Sequence, residues 1–514
     1  MKLHDQPRAD IDWFIFIAGT TLLFGIVIPI VVAPDWSIGI IESAFSTITT
    51  DLGVLYVIIG VGTLVFLIWL AVSRHGRTVL GPDAATPPVH STFSWAAMLF
   101  CTGIGASLVY WGAMEWVYYY TAPPFGVEAG SDAAIRWASS YGIFHWGPMG
   151  WALYCLPAVA LGYSYHVRQV PVLRLSAACS SVLGNETDHW PGRVIDLLFI
   201  IGLLGTAATG LGLGTSVVAS AFTELTGIPD SFTVQFCVIA VVTMIIAFSV
   251  YRGLDEGIKV LSTFNATLAL ILVAYVFLVG PTRFILETGV TAVGTTVQNF
   301  VTMATWTDPM SRASFVESWT VFYWAWWIAL GPFVGMFVAK ISEGRTIREV
   351  IFGMLGWGTL GCAAFFVVLG NYALHLQVEG TYDVVAQVQA ESPSAAIASI
   401  IALLPGGGFW LVYLGVIGLI FTATTYDSAS YTLAAGASRH LLEHEHPKRW
   451  HRVFWALTLG LLPTSLLFIG GLRALQTASI VASLPLTVIY VVMGFSILRM
   501  LREHDTGNPM KAPG

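Results

Sequence analysis

Trp319-Thr320-Val321-Phe322-Tyr323-Trp324-Ala325-Trp326-Trp327 puts four tryptophans into nine residues of an apolar segment. Core packing seldom needs so many indoles together. A cluster of indole π faces is the usual receptor for a cation, above all a quaternary ammonium group. A second aromatic group, Trp146, Trp151 and Tyr154, lies in another apolar segment. The two clusters read as halves of one receptor that closes around an alkylated ammonium compound. The rest of the chain must supply a membrane path and an energy source.

Composition supports a membrane path. Of 514 residues, 56% are hydrophobic and 10% charged, where soluble proteins run near ~25% charged, so the chain reads as polytopic. The five cysteines, Cys101, Cys155, Cys179, Cys237 and Cys362, show no CxxC spacing. Free thiols are expected, without a zinc site or a disulfide framework. The first apolar run follows a charged segment and has no A-x-A cleavage site, so it reads as a retained helix.

Apolar runs of about 20 residues, enough to span a bilayer, begin near Trp13, Leu52, Thr92, Ser139, Val194, Phe232, Ile258, Trp319, Ile347, Gly408, Phe454 and Ala478, which makes twelve. With the N-terminus inside, 19 Lys and Arg fall in inner segments. Only Arg136, Arg283, Arg312 and Arg473 fall outside. This bias predicts a cell (inner) membrane protein with both termini cytoplasmic. Two outer segments are long. Gly280 to Glu317 carries an amphipathic piece around Val290 to Met303, and Asn371 to Gly407 has no Lys or Arg. Each is read either as a cover over an outer vestibule or as a packed loop. No soluble domain, low-complexity tract or nucleic-acid patch is visible.

Three spans carry glycine or polar features that bear on function. The third reads Phe100-Cys101-Thr102-Gly103-Ile104-Gly105-Ala106-Ser107. Each glycine weakens a helix by roughly 1 kcal/mol relative to alanine. A break at membrane depth is tolerated where backbone lines a cavity, and transporters bind ions with the freed carbonyls. Close packing through small residues is the alternative. The tenth span carries Thr424-Thr425 next to Asp427. Adjacent hydroxyls can ligate a hard cation, or each can bond its own helix backbone. Thr206 and Thr209 of the fifth span precede a glycine run and read as packing residues more than as a second ion site. Glu115 follows the third-span break. An intramembrane acid is a functional candidate by default; it balances a substrate cation, carries a proton or bonds its neighbours.

Together these residues resemble the betaine/choline/carnitine transporter family. The resemblance rests on Trp319–Trp327 with the following Gly335 to Glu349. It extends to Phe144-His145-Trp146-Gly147-Pro148-Met149-Gly150-Trp151-Ala152-Leu153-Tyr154, to Thr121–Gly126 and to Gly253–Ser262. It implies an all-α membrane protein of twelve transmembrane helices. A cytoplasmic tail (1–12) and two leading helices (13–90) precede two inverted five-helix repeats (91–281 and 317–501). An outer amphipathic segment (282–316) separates the repeats, and a second cytoplasmic tail (502–514) closes the chain. It also implies a homotrimer. Carried over residue by residue, Trp146, Trp151, Tyr154, Trp324, Trp326 and Trp327 form or gate the aromatic cage, with Glu115 as a further substrate-site candidate. The hydroxyls of Thr424 and Thr425 and the carbonyls of Cys101, Ile104 and Phe421 hold a sodium ion. The expected function is sodium-coupled import of a methylated ammonium compound such as glycine betaine, choline, carnitine or trimethylamine.

Three departures qualify the resemblance. Leu330 stands where an aromatic is expected one turn after Trp326 and Trp327, so the cage is smaller or differently shaped. The third-span motif is not the glycine-rich form of betaine symporters. The sodium-independent carnitine exchanger branch resembles the chain at Trp319–Trp327 and Tyr118–Tyr120, yet places other residues at Lys259 and Val334 and lacks the second hydroxyl; Thr424-Thr425 therefore favours sodium coupling. A sodium-independent exchanger and a carrier of a sulfonium analogue are the alternatives. A passive channel on the same fold and a zinc enzyme are readings from other classes, the latter resting on His440-Leu441-Leu442-Glu443-His444, an H-x-x-E-H pattern without a clear third ligand.

Overall fold

The computed structural model describes residues 10–170, 173–253, 255–310, 314–439, 446–469 and 471–505, without the side chains of 255–259, 471 and 505. Among them, ten helices are long and apolar enough to cross a membrane: α1 (Trp13–Val32), α2 (Gly53–Val72), α7 (Trp190–Thr226), α8 (Phe232–Arg252), α9 (Asp255–Val279), α11 (Val316–Ile341), α12 (Ile347–Val378), α14 (Gly407–Gly436), α15 (Arg449–Ile469) and α16 (Gly471–Asp505). An eleventh crossing is bent. It consists of α3 (Thr92–Thr102) and α4 (Ala106–Thr121), which meet at 60° across Gly103-Ile104-Gly105, where the third span was expected to break.

The fourth expected span is also interrupted, which its apolar content had hidden. It is built from α5 (Asp132–His145) and α6 (Pro148–Gly162), parted at Trp146-Gly147. Pro148 has no N–H to continue α5 and disfavours helical backbone in the residue before it, while suiting the first position of a new helix. Gly147 accordingly adopts φ −95°, ψ −148°. Trp146 therefore sits on a corner rather than on a continuous helix.

The outer segment after α9 is the amphipathic helix α10 (Thr282–Thr305). It buries Ile285, Ala292, Thr296 and Met303 and exposes Val290, Val297 and Val301, each above 70%. Asn371 to Gly407 is largely helical, with α12 running on to Val378 and α13 at Pro393–Ala402.

The 37-residue α7 is central, packed along α14 and α16. The helices bearing the two aromatic clusters, α6 and α11, lie along each other. Thr206 and Thr209 serve packing here: Thr206 bonds Gly202 O, while Thr209 donates to Leu475 O (2.6 Å) and lies 2.8 Å from Ser479 Oγ on α16.

Asp10–Asp12, counted with the tail in the sequence, are built into the body. Asp10–Ile11 form a two-residue antiparallel ladder with Ser438–Arg439 after α14. The Asp12 carboxylate accepts from Phe14 N and Ile15 N, capping α1. It also pairs with Arg439 Nε (3.0 Å) and Arg193 Nε (3.4 Å).

Candidate functional site

The corner at Trp146 and the helices α6 and α11 bring the two aromatic clusters into one group. Trp326 and Trp327 stack at 5.1 Å with ring planes 10° apart. Trp146 stands edge-on to both, at 6.0 and 4.7 Å. Tyr154 lies 5.4 Å from Trp327, and Trp151 5.6 Å from Tyr154. All five rings are buried. Aromatic pairs at such spacings contribute about 0.5–1.5 kcal/mol each beyond their burial, so the group holds its shape.

Glycines seat these indoles. A Cβ at Gly150 would lie 2.8 Å from Trp327 Nε1, whose N–H donates to His145 O at 3.0 Å. A Cβ at Gly358 would lie 2.3 Å from Trp151 ring atoms, and one at Gly103 2.9 Å from the same ring. The third-span break thus touches the cage directly through Trp151.

Trp324 does not join the group. Its ring lies 5.7 Å from both Phe144 and His145, and its Nε1 faces Gly60 of α2. The reason is helical phase: two residues turn about 200°, so Trp324 and Trp326 point to opposite sides of α11. Tyr323, three and four residues before Trp326 and Trp327, takes the place on the cage side, stacking on Trp327 at 5.7 Å. The i, i+3, i+4 spacing was the signal for it.

Glu115 is 1% exposed and lies behind the cage. Its Oε2 accepts from Tyr323 Oη (2.6 Å) and Trp146 Nε1 (3.0 Å). Its Oε1 accepts from Tyr119 Oη (2.5 Å), with His145 Nδ1 at 3.4 Å. His145 further contacts Tyr119 Oη (2.9 Å) and Thr320 Oγ1 (3.2 Å). Tyr119 lies one turn after Glu115 in α4, an i, i+4 pair, whereas the other partners come from α5, the corner and α11 and no local pattern announces them.

The elements that carry the expected sodium ligands approach each other, through residues other than those ligands. The start of α4 and the tenth span, α14, share a seat on α7: a Cβ at Gly214 would touch Ala106 Cβ (2.8 Å) and Thr422 Oγ1 (2.9 Å), and one at Gly210 would touch Tyr426 Oη (2.3 Å). Thr422 and Tyr426 make this approach, and sequence reasoning singled out neither. Thr424 is buried, and its hydroxyl donates to Ile420 O (2.8 Å) and Phe421 O (3.3 Å) in its own helix. Its proton is thereby used, while its lone pairs stay available to a cation. Thr425 is exposed. At the break, Ile104 N donates to Cys101 O at 3.0 Å, and among the described residues no backbone bond outside the regular elements ends on Ile104 O. Hydroxyl and carbonyl oxygens of this kind fit a hard cation. Of the zinc-enzyme pattern, His440–His444 lie outside the described residues; the described ones hold no cluster of three His, Cys, Asp or Glu that could bind a metal.

A family model described as "BCCT, betaine/carnitine/choline family transporter" matches residues 14–506. The "Uncharacterized transporter YeaV" of Escherichia coli K12 is 37% identical over 439 residues, which is 85% of this chain and 90% of that one. A "Carnitine transporter" of Acinetobacter baumannii is 35% identical over 440 residues, 85% of this chain and 79% of its own. The "Glycine betaine transporter OpuD" of Bacillus subtilis is 32% identical over 509 residues, 96% and 94% of the two chains.

Proposed function

Because the chain belongs to the betaine/carnitine/choline transporter family, we propose that it is a sodium-coupled symporter that imports a methylated ammonium compound by alternating access. As a member of that family it is a multi-pass membrane transporter and not an enzyme. Glycine betaine, choline, carnitine and trimethylamine are the substrates proposed. The observation that carries the reading is the edge-and-face group of Trp146, Trp326, Trp327 and Tyr154 at 4.7–6.0 Å, closed and buried inside the bundle. Opening it exposes π faces; closing it around a methylated cation gives about 0.5–2 kcal/mol per ring, more as water leaves.

In this reading sodium is a co-transported substrate, held by the hydroxyls of Thr424 and Thr425 and the carbonyls of Cys101, Ile104 and Phe421. The shared seat of α4 and α14 on α7 supports it, because movement of the break then moves both the ion oxygens and Trp151. The membrane potential adds about 2.3 kcal/mol per inward charge per 100 mV. Twelve spans follow if α5 and α6 together form the fourth, with inverted repeats over 91–281 and 317–501 and both termini at the cytoplasmic face of the cell (inner) membrane. A homotrimer, which the family resemblance implies, is part of this proposal.

A second reading, exchange without sodium, has one observation in its favour: the Thr424 hydroxyl already bonds its own helix. Uptake of a labelled methylated-amine panel into proteoliposomes separates the two. Accumulation that needs an inward sodium gradient is expected. Sodium-independent uptake seen only with substrate preloaded inside would replace symport with exchange.

A further inference from the structure

We infer that Glu115 is a positioning residue, which fixes Trp146 and Tyr323 around the substrate, and that it is not the counter-charge met by the substrate's ammonium group. The inference rests on the cage reading above. A carboxyl group offers about four lone-pair sites, and four groups address them: Tyr119 Oη, His145 Nδ1, Tyr323 Oη and Trp146 Nε1. These contacts turn the carboxyl group towards protein groups, two of them cage rings.

One tautomer orders these contacts, with the single Nδ1–H of His145 given mainly to Tyr119 Oη (2.9 Å) and only weakly to Glu115 Oε1 (3.4 Å). Thr320 O–H donates to His145 Nε2, His145 Nδ1–H donates to Tyr119 Oη, and Tyr119 O–H donates to Glu115. Every hydrogen bond of this chain then points towards the carboxyl group, as it should for an acceptor that organises its neighbours.

Two of the four donors are cage rings. Trp146 needs such a tether because it ends α5 at φ −97°, ψ 6°, where no helix continues to hold its backbone. Tyr323 lies 4.8 Å from His145 and 6.0 Å from Trp146 by ring centroids. Glu115 on α4 thus ties the corner to α11, and it reaches the cage only through these rings.

The two roles differ in selectivity. A counter-charge favours a plain cation over a zwitterion. A tether favours neither. The test measures inhibition constants of tetramethylammonium, choline, glycine betaine and carnitine against uptake of the best-transported member. For Glu115→Gln, all constants should rise together, by about 10- to 100-fold, with their ratios kept within about threefold. Selective weakening of tetramethylammonium and choline, tenfold or more beyond the zwitterions, would overturn the inference.

Tyr323→Phe and Trp146→Phe remove the links without touching Glu115, and should show the same ratio-neutral loss even if Glu115→Gln does not fold. In the Tyr323→Phe/Trp146→Phe background, Glu115→Gln should add less than about threefold; its full effect there would mean it acts by another route. If no member of the panel competes in the wild type, the cage reading itself falls, which is a different result from a shifted ratio.

Discussion

Gly358→Ala tests whether the seat of Trp151 matters. Gly358 ends a π-helical turn, Met354–Gly358, within α12. An added Cβ would lie 2.3 Å from Cδ2 and Cε2 of Trp151 and 2.5 Å from Cζ2. Carbon atoms rest at roughly 3.5–4.0 Å, so ring or helix must give way by more than about 1 Å. The ring has little room to do so, since it is 2% exposed and backed by Gly103, where a Cβ would be only 2.9 Å away. The shift passes to Tyr154 and then to Trp327. Overpacking of this kind costs about 1–3 kcal/mol, which corresponds to about a 5- to 150-fold loss of apparent affinity if the strain falls on the substrate-bound state. Gly356→Ala is the control: it lies on the same turn with nothing within 4 Å of its Cβ. Both variants gain the same backbone benefit of about 0.5–1 kcal/mol in a helix. Uptake kinetics of the two in proteoliposomes, at matched protein incorporation, give the answer. Gly356→Ala should transport as the wild type does, with a raised KM for Gly358→Ala alone. Identical kinetics in all three would refute the placement of Trp151 as a functional wall.

Trp326→Ala should abolish uptake while the protein keeps its size-exclusion profile; uptake with unchanged affinity would remove Trp326 from the cage. Thr424→Ala and Thr425→Ala should each raise the sodium concentration needed for half-maximal uptake about 10- to 150-fold, one lost charge-assisted contact being worth about 1.5–3 kcal/mol; an unaltered sodium response would withdraw the ion site. Asp12→Ala should lower stability by about 1–2 kcal/mol through loss of the α1 cap, and thermal unfolding in detergent should show it, with little change in substrate affinity.

Most of the spans were legible because hydrophobicity is a one-dimensional property. The third-span break was legible too, since Gly103 and Gly105 mark it locally. The corner at Trp146-Gly147 was not, although Gly147-Pro148 is a breaker pair, because the aromatic motif around it drew the reading towards a continuous helix. Trp324 was misplaced by treating a cluster in sequence as a cluster in space; helical phase alone separates it from Trp326. Glu115 was found as a residue, with three roles left open: countering a cation, carrying a proton or bonding its neighbours. Its partners Tyr119, His145, Trp146 and Tyr323 converge only after α4, α5 and α11 have packed.

The Asp12 junction sets a timetable for synthesis. Asp12 and Arg439 are 427 residues apart. At about 5–20 residues per second, roughly 20–90 s separate the appearance of one from that of the other. Through that interval the first helix waits in the bilayer with its carboxylate capping only its own turn, and Arg193 is the earlier of the two arginines to reach it. The Asp10–Ile11 ladder can form only once Ser438 and Arg439, which follow α14, have been made.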